Sequence, residues 1–103
     1  MEIMKEIEVR TLLSASVQRA LLGMIYSSIR AIAVGFEGSA KLKIIYYLDR
    51  EPNDSDYDSI SEVAGEICAD IDFKEVEEIC IYTKEPIANL NSLNFWAYIR
   101  QEN

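Results

Sequence analysis

Histidine is missing altogether from this 103-residue chain, and with it the usual neutral-pH general base and the commonest metal ligand. Cysteine is scarce. Cys68 and Cys80 are too few for a disulfide scaffold and match no zinc-ligand spacing. Both fall in apolar patterns, where a packed, reduced thiol is expected. Two prolines and four glycines, scattered, form no linker, so residues 1–103 are expected to make a single domain. No apolar run approaches the ~18 residues needed to span a bilayer. The N-terminal Met1-Glu2-Ile3-Met4-Lys5-Glu6 has acids where a secretory leader needs an uninterrupted apolar core, and the expected location is cytoplasmic. There is no Gly-rich phosphate loop and no Ser/His or Cys/His arrangement. These absences exclude much of ordinary enzymology, and no cofactor or metal is called for.

Half of the residues are apolar and 27% are charged, the balance of a chain that builds its own core. The net charge of −8 argues against nucleic acid and anionic membrane as partners, since both present like charge. That charge is concentrated. Residues 1–48 carry a net +2, residues 49–78 carry twelve acids and two bases, and the remainder is neutral. One side of the molecule should therefore be strongly negative.

Leu13, Val17, Ala20, Leu21 and Met24 recur at helical spacing and predict a helix over residues 10–26. The first nine residues extend it or form a loose arm. Residues 28–36 and 41–48 read as strands joined by Glu37-Gly38-Ser39-Ala40. After the Pro52-Asn53-Asp54 turn, Ser55-x-x-Asp58 suits a helix start, and Ile60, Val63, Ala64, Ile67, Cys68 and Ile71 form one apolar face. Strands follow near residues 76–83 and 95–100. Gly23 and Gly65 fall inside the two helices, where close packing is the ordinary explanation. The order α-β-β-α-β-β implies an α+β two-layer sandwich: a four-stranded, mainly antiparallel sheet with two helices on one face. Short connections favour pairing within each strand pair.

Strict alternation assigns Ile29, Ala31, Leu42, Ile44, Ile79, Ile81, Phe95, Ala97 and Ile99 to the helix-covered face. It leaves Arg30, Lys43, Tyr47, Glu78, Tyr82, Trp96, Tyr98 and Arg100 facing away. Tyr47, Tyr82, Trp96 and Tyr98 are candidate partner-binding residues, because Tyr, Trp and Arg dominate contact surfaces. The plainer explanation is that aromatics fit strands.

The second helix carries Asp58, Glu62, Glu66 and Asp70 at intervals of four, a continuous carboxylate row that Asp54 and Asp56 extend. Acids in the first turn complement the helix dipole, which accounts for Asp56 and Asp58 but not for Glu66 and Asp70. The row itself, from Asp58 to Asp70, contains no Lys or Arg at its four-residue steps to relieve the repulsion. These six acids are candidate contacts for a positively charged partner, the alternative being a solvated face. Asp54-x-Asp56-x-Asp58 opens like a calcium loop, but Ser59 and Gly65 stand where Gly and Glu are required. A catalytic carboxylate pair would need one desolvated member.

Ala20-Leu21-Leu22-Gly23, Ile29-Arg30-Ala31-Ile32, Asp49-Arg50-Glu51-Pro52, the stretch from Ser61 to Asp70, and Trp96-Ala97-Tyr98-Ile99-Arg100 come in that order. Together they resemble small bacterial immunity proteins of the contact-dependent growth inhibition, or polymorphic toxin, type. The resemblance covers about residues 10–100. It implies a cytoplasmic protein without catalytic activity that binds and neutralises one toxin domain, commonly a nuclease, and it carries over no site residues. A toxin that handles nucleic acid is basic, so an acidic inhibitor suits it. The expectation is a toxin inhibitor that is a monomer or weak homodimer. The alternatives are a homodimeric or regulatory module joined through the aromatic sheet face, and a divalent-metal enzyme using the acids.

Overall fold

A computed structural model describes residues 6–102. Its elements are α1 (Glu6–Ala20), β1 (Ile29–Glu37), β2 (Lys41–Leu48), α2 (Asp54–Asp70), β3 (Glu75–Tyr82) and β4 (Phe95–Ile99). The α+β class and the order α-β-β-α-β-β are as expected. Helix α1 starts at Glu6 among the described residues; the rest of the unassigned arm, residues 1–5, lies outside them. It buries Val9, Leu13, Val17 and Ala20, one stripe of a 3.6-residue period. The helix ends six residues earlier than its apolar spacing suggests. Gly23, at φ +75°, sits in the turn after it, in the left-handed region that glycine adopts without steric cost.

Strands β1 and β2 form the expected hairpin around Glu37–Lys41. Strand β3 lies parallel to β2, because α2 carries the chain back across the sheet before it pairs. The strand order is β3-β2-β1-β4, so β3 and β4 occupy opposite edges, and the expected β3–β4 pairing does not occur. Twelve residues, Thr83 to Asn94, join them. Three strand spacings are only about 14 Å, so this segment has ample length to strap the face away from the helices.

The strap reshapes the expected open face. Ala31, Ala33, Ile45 and Tyr47 are buried there, beneath Ile87, Leu90 and Leu93 with Ile79, Ile81 and Trp96 alongside. Gly35 allows the crossing, since a Cβ on it would stand 3.1 Å from Leu93 Cβ and 3.2 Å from Asn94 Oδ1. Asn94 fixes the strap to β1: its side-chain oxygen accepts from Phe36 N–H and its own N–H donates to the Val34 carbonyl. Leu93, at φ +56°, turns the strap into β4.

Two bulges also correct the assignment of faces. The β1–β2 register shifts between Ile29 and Ala31, and the β1–β4 register shifts between Ile32 and Ala33. One extra residue sends every later side chain to the other face. The helix-side core therefore contains Ile29, Ile32, Val34 and Phe36 of β1, with Leu42, Ile44 and Tyr46 of β2, whereas Ala31 belongs to the strap side. Ile79 and Ile81 also belong there, because the unbroken β2–β3 register sets them beside Ile45 and Tyr47. Tyr98 packs against the helix-side core with Phe95 and Ala97.

Candidate partner-binding surface

Asn53, not Ser55, caps α2. Its side-chain oxygen accepts from Asp56 N–H, and the Asp56 carboxylate accepts from Asn53 N–H, closing a capping box. Asp56 is fully buried. Both nitrogens of the Arg50 guanidinium fork donate to its oxygens, at 2.7 and 3.0 Å, and the Tyr26 hydroxyl donates as well. The Arg50 bonds hold the Asp56 carboxyl down at about 2. Burial and the adjoining Asp56 drive the Tyr26 phenol upward. This network locks the β2–α2 connection and leaves Asp56 no free acceptor face toward solvent.

Asp70, at the other end of the row, accepts from Ser16 Oγ at 2.7 Å and Arg19 Nη2 at 2.6 Å. Those two bonds pull its carboxyl below the usual range and tie α2 to α1. Between these ends, Asp58, Glu62 and Glu66 are exposed, and no ion pair holds them among the described residues. Asp54 is exposed in the first turn. Asp54, Asp56 and Asp58 all lie on the helix, so they form no calcium-type loop. Gly65 is exposed beside Glu66, and a Cβ there would meet nothing within 4 Å. Packing within the chain therefore does not explain this glycine.

The four candidate aromatics do not share a surface. Tyr47 is buried under the strap, where its hydroxyl donates to the Asn91 carbonyl at 2.8 Å and its ring meets Trp96 edge-on at 5.9 Å. Trp96 is partly exposed on that side. Tyr98 is partly exposed on the helix side, and Tyr82 is partly exposed at the end of β3, opposite Leu48. The open aromatic plane expected from alternation is thus divided and half covered.

A second charged network closes the end of the sheet. Arg30, the extra residue of the first bulge, is buried and donates to both Glu102 oxygens, at 2.9 and 2.7 Å, and to the Thr83 carbonyl. Arg100 joins Glu102 to Asp49. The arginines hold the Glu102 carboxyl at about 2. Cys80 is buried and free, and burial raises its thiol to about 11; Cys68 is also free. Arg50, Tyr26, Ser16 and Arg19 escape a reading by spacing alone, because each reaches its carboxylate from another element.

The geometry defines a small two-layer α+β domain in which ion pairs tie α2 to α1 and to the β2–α2 connection. Asp58, Glu62 and Glu66 are among the carboxylates left without an ion pair among the described residues. No helix among the described residues is long and apolar enough to cross a membrane. A family model described as MafI2 immunity protein matches residues 10–102. The chain belongs to the MafI2 immunity protein family, and its function is accordingly that of a toxin-neutralising immunity protein. No curated protein matches the chain. Among solved structures, a tryptophan-to-alanine variant of the MamM CTD superposes with a TM-score of 0.50 at 13% identity, covering 89% of this chain and 95% of that one. A copper form of an aspartate-to-histidine variant of the same domain gives 0.49 at 12%, covering 78% and 100%. Likeness at such identity is one of fold alone.

Proposed function

We propose that the protein is a non-enzymatic cytoplasmic inhibitor that binds a basic toxin domain, a nuclease of the contact-dependent growth inhibition type, and covers its active site. The observation that carries this reading is the exposed run of Asp58, Glu62 and Glu66, which has no ion pair among the described residues while its flanking acids Asp56 and Asp70 are both occupied. Like charges at i,i+4 destabilise an isolated helix by a few tenths of a kcal/mol per pair, and a cationic partner relieves that repulsion. A surface that presents carboxylates in this way competes with a phosphate backbone for lysine and arginine side chains. Asp54 extends the surface toward the helix start, and Tyr57, 45% exposed on α2, supplies an aromatic group on the same helix. Tyr82, Trp96 and Tyr98 remain accessible at its margins or on other faces, whereas Asp56, Asp70 and Tyr47 serve the fold.

Association kinetics with the cognate toxin, followed at several salt concentrations, test the reading. Reversing Glu62 and Glu66 to Lys should slow association at low salt at least about tenfold and flatten its salt dependence. Unchanged rates and an unchanged salt slope would rule out the carboxylate surface as the site.

A further inference from the structure

Among the described residues, three of the large hydrophobic side chains left exposed lie by β4: Leu22 and Ile25 in the segment after α1, and Ile99 on the strand itself. Leu22 is 78% exposed. It lines an apolar groove with Gln18, Leu21, Ile25, Ala97 and Tyr98. This groove runs along β4, which among the described residues is an edge strand paired only with β1.

The sheet has two edges of opposite character. Glu75, Glu77 and Glu78 guard β3 with charge, whereas β4, Phe95–Ile99, contains neither charge nor proline. Arg100 N–H donates to the Arg30 carbonyl, and Ile99 stands opposite Ala31 next to that bond. The antiparallel pattern therefore turns the N–H and C=O of Ile99 away from β1, toward the free edge. Apolar groups flank this edge on both faces, with Leu22 and Ile25 on the helix side and Ile99 beside Ile87 on the strap side.

We infer that a second copy of this chain occupies the β4 edge, pairing β4 antiparallel with β4 across a two-fold axis. A strand that meets its own copy antiparallel is self-complementary, as an isologous contact requires. Charge selects this occupant. A basic partner is disfavoured at an edge whose neighbouring charges include Arg10, stacked over Phe95 and donating to the Asn94 carbonyl, and Arg100 directly after the strand. Two copies joined through α2 or β3 would bring their acidic segments together. Pairing through β4 instead places the two β3 strands at the ends of an eight-stranded sheet. They are then seven spacings or about 34 Å apart, well beyond the Debye length of about 8 Å at physiological salt. The acidic surfaces of both copies stay free, and the dimer does not depend on the identity of the toxin.

Sedimentation equilibrium of the full chain, with the native protein beside Leu22→Lys and Ile99→Lys, tests the inference. Both positions are exposed, and circular dichroism checks that each variant is folded. The expected result is a dimer of twice the 11.7 kDa chain mass, weakened at least about tenfold by either substitution. A native chain that stays monomeric up to about 1 mM, where even a weak contact is half formed, would overturn it. So would a dimer that either substitution leaves intact.

Discussion

Asp56 and Asp58 are two residues apart and opposite in circumstance. Asp56 is enclosed by Arg50, Tyr26 and the Asn53 cap, while Asp58 is exposed, with no ion pair among the described residues. Removing the Asp56 carboxylate strands the Arg50 fork and opens the capping box. Asp56→Ala should therefore cost about 2–4 kcal/mol at pH 7, measured by urea unfolding. The same carboxyl sets a pH dependence. Arg50 foremost holds it at about 2 in the folded state, and Arg30 foremost does the same for Glu102. A depressed folded value contributes stability above the unfolded value, near 4, and loses it as pH falls through the folded value. Urea midpoints should fall between about pH 4 and 2, and the fall should be shallower in Asp56→Asn. Spacing in the sequence was enough to locate the carboxylate row. It could not tell Asp56 and Asp70 from Asp58, because their partners Arg50, Tyr26, Ser16 and Arg19 come from the β2–α2 loop, the turn before β1, and α1.

Helix α2 was legible in the sequence almost whole, because one face is apolar and the other charged, while its cap moved from Ser55 to Asn53. The sheet was legible in its strands but not in its connections. Two bulges displaced the alternation that sorts faces, and a twelve-residue strap covered the face that alternation left open. Gly35 was the available signal for that crossing, since a glycine within a strand marks close approach by another backbone. Gly65 carries a different meaning: it sits mid-helix, exposed, with open space where a Cβ would lie. Gly65→Ala should raise thermal stability by about 0.5–1 kcal/mol, the helix-interior difference between the two residues. Calorimetry showing no gain would mean that the exposed backbone at this position is held by something other than α2 itself. If the toxin approaches α2 closely, the same substitution weakens binding while it stabilises the fold.

At the scale of the molecule, the net −8 resolves into an acidic α2–β3 side and a β4 edge whose own residues are uncharged and whose neighbours Arg10 and Arg100 are basic. The acidic side suits a basic toxin, and the apolar edge suits a second copy, so the two contacts do not compete. Membership of the immunity protein family supplies the toxin as partner; the proposal above assigns its contact to the exposed face of α2. Backbone-amide NMR of the chain in complex with its cognate toxin tests that account most directly. Shifts and line broadening should concentrate on the exposed face of α2, from Asp58 through Glu62 to Glu66. Perturbation confined to the β4 edge or the strap, with α2 unmoved, would contradict it.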